Sequence, residues 1–367
     1  SLIPANTINK VEIISQSVKY GAEGGGGILN IILNKRSVDG YNGIVEGHLG
    51  LPDNDGASSF VNYKTEKINM FSTVSFNHLV KIKDTEIKQV FLNNVENPTG
   101  NFDEVRNDYR QRNSFLINIG SDFYLDEQNT FTSSLMYTGI NKNYDSELLL
   151  NDYQPLNNLI NSTTRNVDDN SDEAYLEAFL QYSTKFKKEG HQLSADLRYD
   201  KSLSDNKTNI NNLETFPGTG TSNQRYAKDE SVDNFYFKLD YVLPLKTDAS
   251  FEAGHMSSFR NYKNDFISSN LNPSINAYEL IADFSSEIDY EERIYAFYAN
   301  YSKEYEKLSF SLGLRTEMTA TTISEKLNDR EYDNDYNDLF PKALLTYSLK
   351  DQNLLSLGYT RYIDRPT

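Results

Sequence analysis

Two short acidic segments carry the side chains best suited to binding a metal ion. Asp53 and Asp55 alternate in the run Asp-Asn-Asp-Gly, and Asp333, Asp335 and Asp338 lie in Asp-Asn-Asp-Tyr-Asn-Asp. Clustered carboxylate and amide oxygens are the ligands that Ca²⁺ prefers. Neither segment has the terminal Glu of a complete EF-hand loop. Each is therefore interpreted either as a Ca²⁺ site or as a solvated acidic loop.

Other reactive constellations are missing from the sequence. The glycine run 24–27 is not followed by the Lys-Ser/Thr pair of a phosphate-binding loop. The chain has no Cys and no Gly-x-Ser-x-Gly motif, and its four histidines, His48, His78, His191 and His255, lie far apart. We therefore predict no catalytic residue, no cofactor site and no enzymatic activity.

The charge balance excludes one class of partner. The 367 residues include 53 acids and 36 bases, which gives a formal net charge of -17. Nucleic-acid binding needs a basic surface, so no nucleic-acid partner is expected. No run of ~18 apolar residues suggests a transmembrane helix. The absence of Cys is compatible with the oxidising cell envelope.

Long stretches of alternating residues predict the elements that position these side chains. Residues 191–199, 234–243 and 308–317 place apolar and polar side chains on opposite faces, as Leu193 and Leu197 show. Such alternation is typical of a half-buried β-strand. Strands of this length exceed the usual ~5–6 residues and match the ~9–11 residues that cross a bilayer at a tilt.

The connections between the predicted strands alternate in length, which separates two fold classes. About 13 strands are expected. Tight turns near residues 65, 127, 189, 247, 305 and 350 alternate with long polar connections at about 81–111, 143–172, 204–230, 263–288 and 322–338. A soluble β-sandwich would mix the two lengths, whereas an outer-membrane barrel has short periplasmic turns and long extracellular loops. We expect an antiparallel transmembrane β-barrel.

Charged residues within the alternating segments are expected to face the inside of that barrel. Arg198, Lys238, Asp240 and Arg315 fall on the polar sides of their strands. Lys or Arg at the lipid midplane would cost ~2–4 kcal/mol, so these side chains should line the lumen. An odd strand count predicts that the barrel continues beyond Thr367, because single-chain bacterial barrels have even numbers.

The first 35 residues carry the most specific motif. A short strand ending in Val-Glu-Ile-Ile is followed by Tyr20, Gly21, Gly26, Gly27 and Asn30 within Tyr-Gly-Ala-Glu-Gly-Gly-Gly-Gly-Ile-Leu-Asn-Ile-Ile. This order and spacing closely resemble the end of the plug domain in TonB-dependent outer-membrane receptors. Gly313–Glu317, Leu339–Pro341 and Gly358–Pro366 are similar to strand motifs in the Bacteroidetes-type outer-membrane β-barrels of that family.

The resemblance implies a fold, a location and an activity. Residues 1–38 would be the C-terminal part of a plug and residues 39–367 the N-terminal part of a barrel, with about 13 of an expected 22 strands. The protein would lie in the bacterial outer membrane, contact lipid and import an extracellular ligand. The TonB energy-transducing complex would act through an N-terminal region that this sequence lacks.

Two questions stay open at this point. The ligand, whether a small molecule, siderophore, peptide or glycan, is not specified by the sequence, because one fold hosts many functions. The alternative function is a non-transporting structural or adhesive outer-membrane barrel.

Overall fold

The computed structural model describes residues 8–14, 28–33, 39–93, 97–155, 158–245, 248–349 and 353–363. The described part of the chain forms two antiparallel sheets and two short 3-10 turns, at Ala282–Phe284 and Lys326–Asn328. None of its helices is long and apolar enough to cross a bilayer. The strands are β1 (Ile8–Ile14), β2 (Ile28–Leu33), β3 (Gly40–His48), β4 (Asn54–Lys64), β5 (Ile68–Leu92), β6 (Pro98–Tyr124), β7 (Asn129–Gln154), β8 (Asn158–Lys185), β9 (Gln192–Phe216), β10 (Gly220–Pro244), β11 (Ala249–Asn272), β12 (Ala277–Leu280), β13 (Ser286–Glu304), β14 (Leu308–Glu325), β15 (Arg330–Ser348) and β16 (Leu354–Thr360).

The large sheet has the simplest possible topology. Each strand from β3 to β16 pairs with its sequence neighbours, except that β11 pairs with both β12 and β13. Thirteen strands lie along this path, which agrees with the number expected from the sequence. The sheet is not closed, because the edge strands β3 and β16 do not pair with each other in the part of the chain that is described. The strands β1 and β2 form a separate hairpin.

Short polar turns join the strands at one end of the sheet. Asp126 Oδ1 accepts hydrogen bonds from the backbone N–H groups of Gln128 and Asn129, both at 2.8 Å. Thr65 Oγ1 accepts in the same way from Lys67 and Ile68, at 3.3 and 3.2 Å. Asx and Ser/Thr side chains favour turns because they replace backbone partners in this way.

The prediction that the long polar connections at the opposite end are loops is wrong. Residues 81–92 and 98–111 are the distal halves of β5 and β6, and only residues 93–97 separate the two strands. The four other long connections also lie largely within strands that extend the ladder, interrupted by the 3-10 turns at Ala282–Phe284 and Lys326–Asn328. Both faces of these segments are polar, so they lack the apolar alternation that identifies a lipid-facing strand. Backbone hydrogen bonds, joined by side-chain hydrogen bonds between neighbouring strands, continue the sheet there without an apolar face.

The consequence is a wall much taller than a membrane. The strand β8 contains 28 residues, which corresponds to about 90 Å of extended chain. A tilted strand crosses the bilayer with ~9–11 residues. We call the halves of β5–β11 beyond the membrane-crossing segment the hairpin extension.

Candidate functional site

One face of the large sheet is polar across almost its whole width. A row across this face is obtained by taking, from β4 to β15, the residue on each strand that lies directly opposite the chosen residue of the strand before. The short side strand β12 is left out. Nine of its eleven members are polar or charged. The row consists of Lys64, Asn69, Asp122, Thr132, Gln181, Asp196, Lys238, Met256, Ala296, Glu317 and Asp338. Asp122 accepts hydrogen bonds from Asn69 Nδ2 at 3.0 Å and from Thr132 Oγ1 at 2.8 Å. We call this side of the sheet the polar face.

The neighbouring row on the opposite side of the sheet is apolar. All of its ten members except His255 and Thr316 are aliphatic residues, Phe or Tyr. The row consists of Ile68, Phe123, Phe131, Tyr182, Ala195, Leu239, His255, Phe297, Thr316 and Leu339. On β10 and the residue after it, this apolar side runs from Phe235 to Leu245. Ten residue steps at a tilt of ~40° span about 25 Å, the height of the apolar band of outer-membrane barrels. We call it the apolar face.

Aromatic residues close the apolar band near the short turns. His191 stacks on Phe186 with a ring separation of 4.1 Å, and its Nε2 lies 2.9 Å from the Tyr241 hydroxyl. Rings that combine an apolar body with a polar edge are enriched at membrane interfaces. His191 therefore belongs to an aromatic girdle.

The most buried charged side chains lie on the polar face of β14. Arg315 and Glu317 are both 1% exposed, and Arg315 Nε donates to Glu317 Oε1 at 2.6 Å. Arg315 Nη2 also contacts Met256 Sδ at 3.4 Å. Alternation on β14 places both side chains on one face. A buried pair with this geometry fixes two side chains, but its desolvation cost makes it weak evidence for stability.

A second buried pair lies nearby on β10. Lys238 Nζ is 2.8 Å from Asp240 Oδ2, and both side chains are 6% exposed. Arg198, on β9, lies over the Tyr236 ring at 5.4 Å and contacts Asp200 at 3.3 Å. The expectation that Arg198, Lys238, Asp240 and Arg315 share one face is confirmed by their register.

Further polar contacts in the hairpin extension were missed by sequence reasoning. Asp108, on β6, is 3% exposed and accepts hydrogen bonds from Tyr144 Oη and Ser146 Oγ, both at 2.8 Å. Arg110 Nη2 lies 3.2 Å from Asp108 Oδ2. Burial raises the pKa of Asp108. The hydrogen bonds from Ser146 and Tyr144 and the positive charges of Arg110 and Arg106 lower it by more, so the pKa lies below its ordinary value. The alternation of charge in Arg106, Asp108 and Arg110 was the available signal.

The five carboxylates predicted for Ca²⁺ are not gathered into one site. Asp333 and Asp335 lie on one face of β15, and Thr322 Oγ1 donates to Asp333 at 2.7 Å. Asp338 lies on the other face and binds Arg361 at 2.7 Å. Asp53 lies in the turn before β4, and Asp55 pairs with His78 across the sheet. Within the described ranges, no group of three or more His, Asp or Glu residues is placed to hold a metal ion.

Most of the predicted plug motif lies outside the described residues. This applies to Tyr20, Gly21, Gly26 and Gly27. Asn30 lies in β2, opposite Glu12 of β1. The antiparallel pairing of β1 with β2 agrees with the short strand expected to end in Val-Glu-Ile-Ile before the glycine run.

A comparison with protein families decides the classification. The profile described as the outer membrane protein beta-barrel family matches residues 184–367, which is half of the chain. The chain belongs to this family. This outer-membrane β-barrel chain therefore resides in the bacterial outer membrane, and its apolar face is the side that contacts lipid. The expected fold class and location are confirmed.

Solved structures add information about the fold alone. The ferric citrate transporter FecA in its unliganded form is 12% identical, with a TM-score of 0.52, over 96% of this chain and 49% of FecA. The barrel chain thus spans about half the length of FecA. The FrpB iron transporter from Neisseria meningitidis (9% identity, 96% of this chain, 74% of FrpB) and the outer-membrane protease OmpT from Escherichia coli (12%, 77% and 96%) have TM-scores of only 0.26 and 0.24. No curated protein matches the chain.

Proposed function

We propose that this chain is part of an outer-membrane receptor that binds an extracellular ligand and imports it with energy from the TonB complex. In this proposal, residues 1–38 form the end of a plug and residues 39–367 form the first part of a barrel. The hairpin extension rises on the extracellular side. The protein catalyses no covalent reaction.

The observation that carries the proposal is the row across eleven strands in which nine of the eleven members are polar or charged. A barrel with this many strands encloses a space that side chains alone cannot fill. Its wall must therefore face water or a separate folded element. The buried pairs Arg315–Glu317 and Lys238–Asp240 suit contact with a folded element, because buried charges are retained where they have partners.

Two further observations support import over a purely structural barrel. The motif from Tyr20 to Asn30 resembles the end of a plug, which a structural barrel does not need. FecA, which has the same fold over nearly all of this chain, is a ferric citrate transporter. Siderophores, other small molecules, peptides and glycans are the candidate ligand classes for the uptake test described next.

Solute uptake by a deletion strain tests the proposal. The strain is grown on a panel of iron and carbon sources, and the lost uptake is restored with the wild-type gene. A protonophore should abolish the restored uptake while surface binding of the solute persists, because import consumes energy and binding does not. A deletion strain that takes up every solute as well as its parent would favour the structural or adhesive alternative.

A further inference from the structure

Six basic side chains lie together on the polar face of the hairpin extension. They are carried by β5, β6 and β7, and we call them the basic patch: Lys81, Lys83, Arg106, Arg110, Arg112 and Lys142. Over the extended halves of these three strands the same face carries three acids, Glu104, Asp108 and Asp152. The net charge of this surface is thus positive, although the whole chain carries -17.

The register forces like charges against each other within the basic patch. Lys81 lies directly opposite Arg110, and Arg112 lies directly opposite Lys142. Side chains in such positions have Cβ atoms ~4.5–5.5 Å apart, and like charges there destabilise the strand pairing. Each pair keeps its like charges adjacent, although Asp108 and Glu173 offset part of the repulsion at Arg110 and Lys142. Violations of local rules of this kind are expected at functional sites.

Three members of the basic patch form no salt bridge in the described part of the chain, although Lys83 lies directly opposite Asp108. Salt bridges join Arg106 to Glu104, Arg110 to Asp108 and Lys142 to Glu173. Among the described residues, Lys81, Lys83 and Arg112 form no ion pair, and all three side chains are exposed. Their charges are therefore available to a molecule that enters the barrel mouth.

Arg110 is held in place and yet accessible. Its guanidinium lies 4.6 Å from the centroid of the Tyr144 ring and 3.2 Å from Asp108, while 53% of the side chain is exposed. Asp108 is itself fixed by Tyr144 and Ser146. A guanidinium that is already oriented loses less rotamer entropy on binding and can present paired donors to a carboxylate or phosphate.

We infer that the basic patch binds an anionic solute that carries carboxylate or phosphate groups, as the first contact on the import route. The role of the basic patch on an import route rests on the proposed function, whereas the anion binding itself does not. The surrounding acidic surface does not prevent entry, because charges more than ~8 Å away are largely screened at physiological ionic strength. Citrate and pyrophosphate are suitable probes of the two chemistries, and sucrose is the neutral comparison.

Equilibrium binding to the purified full-length protein in detergent tests the inference. We expect wild type to bind citrate or pyrophosphate but not sucrose, with an affinity that falls as salt rises. The double variant Lys81→Gln/Arg110→Gln should weaken anion binding about tenfold or more, since it removes two charged hydrogen-bond donors. The control Lys88→Gln removes a base from the apolar face of the same strand and should leave the affinity within about twofold.

The controls separate this inference from the proposed function. If wild type binds neither anion, or if Lys88→Gln weakens binding as much as the double variant, the basic patch is not an anion site. If the double variant does not fold, Arg112→Gln, which breaks no ion pair, is used in its place. Anion binding needs no energised membrane. A protein that binds but does not import contradicts only the proposed function, and one that imports without binding either anion contradicts only this inference.

Discussion

At the residue scale, the Arg315–Glu317 pair is the feature most sensitive to change. Both side chains are almost completely buried, so removing one charge breaks the ion pair while the other charge stays desolvated. We expect Glu317→Gln to lower the free energy of unfolding by about 3–5 kcal/mol. Urea unfolding of the purified protein measures this change. It is followed by far-UV circular dichroism, because the chain has no Trp for fluorescence.

A double variant serves as the control for that prediction. Arg315→Met/Glu317→Leu removes both charges and retains much of the volume, so it should lie closer to wild type than Glu317→Gln does. A double variant that is less stable than the single one would show that the pair makes a net stabilising contribution.

Asp108 contributes to the pH dependence of stability. Because its native pKa is below the ordinary value, its carboxylate stabilises the fold above the unfolded pKa of ~3.9. That contribution is lost as the pH falls through the native pKa. The difference in unfolding free energy between wild type and Asp108→Asn should therefore be constant at pH 5–7 and shrink below about pH 4.

An exposed carboxylate supplies the comparison. Asp145, on the other face of β7, is exposed, so Asp145→Asn should follow the wild-type curve more closely. A constant difference between wild type and Asp108→Asn down to pH 3 would contradict the role given to the Asp108 carboxylate.

At the element scale, the identity of the two faces can be tested on one strand. Leu180 and Gln181 are adjacent on β8, and Leu180 belongs to the apolar face while Gln181 belongs to the polar row. We expect Leu180→Lys to lower the free energy of unfolding in lipid by ~2–4 kcal/mol. Gln181→Lys should have a small effect, because its neighbour Asp196, 2.8 Å away, can accept from an ammonium group. Equal losses would mean that the faces are assigned the wrong way round.

The elements also show where sequence reasoning succeeds and where it stops. Alternation such as that from Leu193 to Tyr199 identifies the membrane-crossing segments, because one face must be apolar. The same rule fails for residues 81–111, where both faces are wet and no periodicity distinguishes a strand from a loop. The basic patch was missed for that reason: its members face one another only once β5, β6 and β7 are paired in register.

At the scale of the whole molecule, the edge strands β3 and β16 should govern association, because neither pairs on its outer side with any described part of the chain. The strands β3 and β16 expose backbone groups that can pair with another strand. Residues 1–367 expressed alone should associate through these edges. Since the chain has no Cys, the single variants Val45→Cys on β3 and Leu357→Cys on β16 can be mixed and oxidised. Disulfide-linked pairs should form, whereas Leu180→Cys, in the middle of the sheet, should stay largely unlinked.

The height of the wall has a consequence for how the proposed receptor would diversify. Where an ordinary barrel mouth is made of irregular segments, a new specificity demands that their backbone be rebuilt. Here the backbone of the mouth is already fixed by an unbroken ladder of hydrogen bonds on β5–β11. Every second residue lies on the polar face of a rigid support, so in the proposed receptor point substitutions would exchange one ligand preference for another while the scaffold stays unchanged.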